Sequence, residues 1–280
     1  MKSRKPGYVF YGKARKLTEE RKPKKRRNIG PRIVFFAALA VFIFSGVQLI
    51  RIWRDYRVAD SSYEDLREEF RVRSSGGETA AEEDPDYTWL LAMHEEYPAI
   101  VGWIQIPDTN VDYPVMYRAG DDGNSYYLTH DYSGEANGNG SIFLDMANSP
   151  ALDDAYSVIY GHNMKSGSMF HDITRYLDSS FWEEHPDVTL LVIEDGGASV
   201  REETWRIFSA HVTVDDSDVY SFGHQNGTEA FEGFAAWLSA ASGIDTGVSV
   251  TGNDRILTLS TCTNTAANER TVVHAVLLTD

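Results

Sequence analysis

The sequence predicts a mainly β domain, a closed or nearly closed barrel with helices set on it, behind a single membrane-spanning helix. Three observations lead there. About eight short runs of β-branched and alternating residues lie between Ile100 and Leu278, separated by turns rich in Gly, Asn and Asp. These runs lack the strand–helix–strand rhythm of a parallel α/β sheet, which leaves a barrel-like arrangement. An uncharged stretch of 18 residues, Ile33 to Ile50, lies near the N-terminus.

The N-terminal third is organised by charge. The net charge of −16 conceals a split: 13 of the 26 Lys and Arg residues fall in residues 1–32, beside 2 acidic residues. The other 248 residues carry 13 basic and 40 acidic side chains, a balance of −27. A body that acidic repels nucleic acid, whose binding needs a basic face to replace counterions, so no nucleic-acid partner is expected. The apolar run IVFFAALAVFIFSGVQLI is bracketed by Arg32 and Arg51. At 1.5 Å per residue it reaches about 27 Å, enough for a bilayer core. It is long for a cleaved signal peptide, and no small-x-small cleavage site follows it. Arg51, Trp53, Arg54 and Tyr56 read as an interfacial anchor. The positive-inside rule then puts the basic tail, residues 1–32, in the cytoplasm and everything after Arg51 outside. Asp55 to Arg73, with Tyr56, Tyr63, Leu66 and Phe70 at helical spacing, reads as a juxtamembrane helix or stalk. Ser74 to Pro85, small and acidic, reads as a flexible linker. Residues 51–85 are therefore stalk and linker, and 86–280 the folded domain.

The domain opens with a helix from Tyr87 to Tyr97, with Trp89, Leu90, Met93 and Tyr97 on one stripe. Ile100 to Ile106 and Val111 to Tyr117 are strands around an Asp108-Thr109-Asn110 turn. Ser141 to Leu144 follows a Gly-Asn-Gly turn, and Ser157 to Tyr160 runs into Gly161-His162-Asn163. Met169 to Leu177 reads as a short amphipathic helix. Thr189 to Ile193 and Thr204 to Val214 flank Asp195-Gly196-Gly197 as a hairpin. Thr228 caps a helix from Glu229 to Ala241 whose Phe231, Phe234 and Leu238 face one way. Ile256 to Thr261 and Thr271 to Leu278 are the closing strands.

Between those last two strands lies the chemistry. Cys262 is the only cysteine, so a domain outside the cell has no internal disulfide and the thiol is either buried filler or reactive. It sits at the end of one strand, and Arg270 at the start of the next. If these strands are neighbours, thiol and guanidinium meet at one rim of the sheet. A thiol is a weak nucleophile at neutral pH without an assisting base or cation. All eight histidines lie in the domain. His94 and His171 fall on helices, His185 precedes a proline, and His211 and His274 lie within strands. His162 stands in a GHNM turn directly after a strand, where its ring can project from a strand end, but position alone does not separate it from His130. Arg270 reads as a surface ion-pair partner of a neighbouring acid or as a donor to a tetrahedral oxyanion. One cysteine and scattered histidines give no metal-ligand spacing, and the acidic clusters Asp121-Asp122 and Asp215-Asp216-Ser217-Asp218 do not follow an EF-hand pattern, so neither metal nor cofactor is expected.

Taken together, TLSTC (Thr258 to Cys262), an arginine eight residues on at the head of a Val-rich strand, and YGHNM (Tyr160 to Met164) resemble a sortase. GSIFLD (Gly140 to Asp145), VIYGHNMKSGSMF (Val158 to Phe170) and the helix Glu229 to Ala241 before the closing strands are similar to class B in particular. The resemblance covers roughly Tyr87 to Leu278. It implies an eight-stranded sortase barrel on the outer face of a Gram-positive membrane and a cysteine transpeptidase. Cys262 would attack the carbonyl after threonine in a C-terminal sorting signal, Arg270 would steady the oxyanion, and His162 would protonate the departing amine and deprotonate the incoming one. The implied partners are a sorting-signal-bearing surface protein or pilin, and an amine from a lipid II-type peptidoglycan precursor or a pilin lysine. Asn124 and Leu128 match a stretch lining the substrate groove, Ser260 the hydroxyl two before the cysteine, and Tyr220 the aromatic on the long loop before the last helix. Thr263 stands where some relatives carry an acid. Two other readings are an extracellular cysteine peptidase, which passes the acyl group to water, and a non-catalytic surface-binding domain with a buried thiol.

Overall fold

Four of the five residues Ile100-Val101-Gly102-Trp103-Ile104 are bulky and apolar, and both faces of this run are buried. It forms strand β1 (Ile100–Gln105), which turns back through residues 106–111 into β2 (Asp112–Met116). The computed structural model describes Pro31, residues 33–50, Tyr63, Leu66 and residues 87–279. The basic tail before Pro31, the interfacial anchor around Trp53, the linker 74–85 and all of the stalk but Tyr63 and Leu66 lie outside the described residues.

Two units are separated by chain contacts, residues 1–49 and 50–280. Ile33–Ile50, in the first unit but for its last residue, forms one continuous helix, α1, with a mean hydropathy of 2.5 and no buried residue, long and apolar enough to cross a membrane. In the second, α2 (Thr88–Glu96) precedes the barrel and buries Trp89, Leu90 and Met93. Tyr63 and Leu66 belong to the core of this unit. The Tyr63 ring is 2 % exposed, and its hydroxyl donates to the Gly140 carbonyl at 2.7 Å.

Six further strands complete the barrel: β3 (Ile142–Leu144), β4 (Tyr156–Tyr160), β5 (Asp187–Glu194), β6 (Ser199–Val214), β7 (Ile256–Cys262) and β8 (Glu269–Leu277). Around the closed barrel the order is β1-β2-β3-β4-β7-β8-β6-β5, with β5 returning to β1. The fold class expected from the strand count is the one observed. The β5–β6 turn works because Asp195, Gly196 and Gly197 all adopt positive φ, the conformation that tight hairpins demand.

Two stretches differ from the sequence reading. β6 begins at Ser199 rather than Thr204, because its first half pairs with β5 and its second half with β8, so tertiary pairing carries the strand through the charged residues Arg201, Glu202 and Glu203. Partners are exchanged at Trp205 and Arg206, and a shift of register follows between Ile207 and Ser209. Met169 to Leu177 is not an α-helix. Met169 has φ of 57°, which no right-handed helix accommodates, and a 3-10 turn follows at Asp172–Leu177. The Asp178 side chain then accepts from Ser180 N–H and caps the short helix α4 (Ser179–Glu184), which follows α3 (Gly123–Tyr126) in chain order.

The core has two parts. Inside the barrel, side chains such as Ile104, Tyr113, Leu257, Leu259 and Val273 form the larger one. Outside it, helix α5 (Glu229–Ala240) lays Phe231, Phe234 and Leu238 over Tyr156, Val158, Ile256, Val272 and Val276, covering β4, β7 and β8. This cover explains why β7 is buried on both faces until its last residue.

Strand directions decide which ends meet. β4 and β7 run parallel, paired from Tyr156–Ile256 to Tyr160–Ser260, so both finish at the same rim. β8 runs antiparallel to β7 and starts there, and β6, antiparallel to β8, ends there at Val214. β3, antiparallel to β4, begins there, which brings the preceding segment, residues 123–141, to the same place.

Candidate active site

This rim carries a cleft of about 540 Å³. Its walls include Cys262, His162 and Arg270, together with Asn124, Leu128, Tyr220 and Ser260. All seven residues singled out from the sequence are thus brought together. Cys262, Ser260, Arg270 and His162 come from strand ends or the turn beside one, Asn124 from α3, Leu128 from the loop after α3, and Tyr220 from the 3-10 turn that follows β6.

Cys262 is the last residue of β7 and half-buried. Alternation along the strand puts it on the same face as Ser260. Arg270 lies directly opposite it in the β7–β8 register, and the Cβ atoms of such cross-strand partners lie about 5 Å apart. The Arg270 Nη1 group donates to the carbonyls of Ala267 and Glu269, both at 3.0 Å, and Nη2 donates to Asp215 Oδ2 at 3.3 Å. These three bonds fix the guanidinium plane at the cleft wall.

His162 follows β4 by two residues. The intervening Gly161 admits no side chain, since a Cβ there would lie 2.3 Å from Ile142 Cδ1 and 2.7 Å from the Phe170 ring. His162 Nε2 lies 2.9 Å from the Leu128 carbonyl oxygen. A carbonyl only accepts, so Nε2 carries the hydrogen, and in the neutral ring Nδ1 holds the lone pair. His130, which position alone left as its equal, is elsewhere: its ring stacks on Tyr126 with centroids 4.1 Å apart and its Nδ1 bonds the Tyr126 carbonyl.

Residues not singled out from the sequence complete the walls. Asp145, buried in the rim, accepts from Asn124 Nδ2, from the Tyr160 hydroxyl and from the Ala147 N–H, each at 2.8 Å. Met146 N–H donates to Asn124 Oδ1, so the Asn124 amide is held from both sides and its orientation is set. Burial, and then the Asp145 carboxylate, push the Tyr160 phenol far above its ordinary range, so it stays a donor. The Tyr160 ring stacks on Tyr220, which shares a 2.9 Å hydrogen bond with Ser260. Burial raises the Tyr220 pKa as well. Asp145 and Tyr160 lie in the stretches GSIFLD and YGHNM, but nothing local marks either as a wall residue, because the bonds that join them span 15 residues. Phe143, Phe222 and Asp215 likewise reach the cleft only through the fold. Among the described residues, no group of three or more His, Cys, Asp and Glu side chains is arranged to hold a metal ion.

An open cleft with a half-exposed thiol, an imidazole with one free nitrogen and a fixed guanidinium provides the parts for acyl transfer through a thioester. Comparisons with known proteins agree with that chemistry. A family model of the sortase domain matches residues 104–278. Sortase B of Listeria monocytogenes is 33% identical over 228 residues, 80% of this chain and 86% of its own length. Sortase B of Staphylococcus aureus is 27% identical over 230 residues, 82% of this chain and 88% of its own. Among solved structures, a Staphylococcus aureus sortase B–substrate complex aligns with a TM-score of 0.67 at 26% identity, over 80% of this chain and 98% of that one. Sortase B of Clostridium perfringens aligns with a TM-score of 0.58 at 30% identity, over 67% and 98%.

Proposed function

Because the chain belongs to the sortase family, and within it to class B, we propose that Cys262, His162 and Arg270 are the working groups of its transpeptidase reaction. The observation that carries this reading is the convergence of the ends of β4 and β7 with the start of β8 on one cleft, with Cys262 opposite Arg270. The Cys262 thiolate attacks the carbonyl carbon after threonine in a sorting signal. The resulting oxyanion accepts hydrogen bonds from the Arg270 N–H groups that the fold leaves unengaged. Collapse breaks the C–N bond, and the departing amine takes its proton from His162 Nδ1–H, the nitrogen not committed to Leu128. The acyl group is then a thioester on Cys262. An incoming amine loses a proton to the same nitrogen, attacks the thioester carbonyl and expels the thiolate. Asn124, Leu128, Tyr220 and Ser260 form the peptide groove, with the Asn124 amide presenting its remaining Nδ2–H to a substrate carbonyl.

The cargo is a surface protein or pilin with a C-terminal sorting signal. The acceptor is a lipid II-type peptidoglycan amine or a pilin lysine. The structure of a sortase B–substrate complex from Staphylococcus aureus supports a peptide in the corresponding groove. Helix α1 anchors the enzyme in the membrane with residues 1–32 inside and the barrel outside. The test incubates the full-length chain in detergent with sorting-signal peptides of varied sequence, with and without an amine acceptor. Mass spectrometry should find an acyl adduct on Cys262 and a product joined to the amine. Cleavage products from water alone in the presence of amine would make it a peptidase, and no adduct at all would make it a binding domain.

A further inference from the structure

We propose that Asn163 is the positioning residue that fixes His162 against Cys262, and that His171 holds the Asn163 amide in its working orientation. This rests on the reading of Cys262 and His162 as nucleophile and proton carrier. The regular β4–β7 ladder ends at Tyr160 and Ser260. Beyond it the two chains would be free to diverge, yet bonds continue between them. Gly161 N–H donates to the Ser260 carbonyl at 3.1 Å, and Thr261 Oγ1 donates to the Gly161 carbonyl at 2.7 Å. One step on, Asn163 Nδ2 donates to the Cys262 carbonyl at 2.8 Å, and Asn264 Nδ2 donates to the Asn163 carbonyl at 2.9 Å. His162 is therefore bracketed. The residues before and after it are each bonded to the β7 chain, and Asn163 grips the nucleophile's own peptide unit.

The chemistry of the amide fixes its direction. The Cys262 carbonyl only accepts, so Nδ2 must face it, which leaves Oδ1 toward His171 Nδ1 at 2.8 Å. His171 Nδ1 then carries a hydrogen. It does so in the protonated ring and in the neutral tautomer that this contact selects, so the clamp holds in either charge state. Neither Asn163 nor His171 is among the residues lining the cleft. They act through His162 and Cys262, not on substrate. A displacement of about 1 Å between reacting groups costs on the order of 10²-fold in rate, so a clamp at this point bears directly on turnover.

The test measures kcat and KM for amine-dependent acyl transfer by the full-length chain in detergent. Asn163→Asp keeps the shape but removes the donor to the Cys262 carbonyl. It should lower kcat by about 10- to 100-fold and leave the peptide KM within about twofold. His171→Leu should lower kcat less. His171→Asn, whose amide nitrogen stands near the position of Nδ1, should restore it. Asn163→Asp with His171→Leu should be no slower than Asn163→Asp alone, as expected of groups that act through one bond. Stoichiometric alkylation of Cys262 and an unchanged circular dichroism spectrum separate this from loss of the fold. Wild-type kcat in Asn163→Asp, a loss confined to KM, or multiplicative losses in the double variant would each overturn the clamp. A wild-type enzyme that forms no acyl adduct on Cys262 would overturn the transpeptidase reading itself, and the clamp with it.

Discussion

Arg270 has five N–H donors, and the fold engages three of them with Ala267, Glu269 and Asp215. Among the described residues Nε–H and one Nη2–H have no partner, which suits the proposed oxyanion role. A lysine keeps the charge but has a single nitrogen that can settle on Asp215, so Arg270→Lys should fold normally and lose about 10²-fold in kcat/KM. Near wild-type turnover would reduce Arg270 to an ion-pair partner of Asp215. A second residue-scale effect concerns His274, which is fully buried. Its Nδ1 lies 2.7 Å from Thr258 Oγ1, whose own hydrogen goes to the Tyr156 hydroxyl, so Nδ1 is the donor. Nε2 has no partner. Burial, and then the nearby His211, hold the His274 pKa well below its ordinary value, and burial lowers that of His211 too. The folded state thus resists protonation of both rings, most strongly at His274, while the unfolded chain takes up protons from about pH 6.5 downward. Their contribution to stability is therefore complete above about pH 6.5 and is lost as pH falls from there toward the lowered native values. For His274 the slope reaches about 1.4 kcal/mol per pH unit. The melting temperature should drop further between pH 7 and pH 5 in the wild type than in His274→Gln, and equal drops would show that His274 does not titrate differently on unfolding.

Helix α5 is the element on which the site depends without taking part in it. Thr228 Oγ1 accepts from Phe231 N–H, and Leu238 is fully buried above the strands whose ends carry His162, Cys262 and Arg270. Leu238→Ala should cost about 2–5 kcal/mol, read from denaturant titration, and a cost below about 1 kcal/mol would mean that α5 is only loosely seated. This helix was legible in the sequence because its cap and its apolar stripe are local signals. The first five residues of β6 were not. Charged Arg201 and Glu203 pair with each other in the folded sheet, and pairing with β5 carries these residues as strand without an apolar pattern of their own.

Across the whole molecule, charge sets the expected topology. The thirteen basic residues before α1 carry the proposed orientation, tail inside and barrel outside. Protease added to intact protoplasts should remove the barrel and spare the tail, and a protected barrel would reverse the orientation. The burial of Tyr63 and Leu66 gives the juxtamembrane segment a part in the barrel's stability. A fragment beginning at residue 86 should melt below one beginning at residue 51, because it exposes the surface that Tyr63 covers and loses its bond to Gly140. Identical melting temperatures would show that this contact contributes nothing.

By itself the sequence determined the eight strands, the helix before the closing pair, the apolar span, and a thiol at one strand end with a guanidinium at the next strand's start. Those features rest on periods of two and 3.6 residues, on caps and on turns, all of which act over a few residues. Position along the chain left His162 level with His130, and the resemblance carried by YGHNM chose His162; the tertiary structure adds the parallel pairing of Tyr160 with Ser260, a hundred residues apart, which brings His162 to the cleft that Cys262 lines. Only the tertiary structure decided the place of Asp145 between Asn124 and Tyr160, and of Asn163 on the Cys262 carbonyl. Local propensity makes a strand but does not choose its neighbour. That choice follows from closing the barrel and covering β4, β7 and β8 with α5, and burial over the whole domain is what stabilises it.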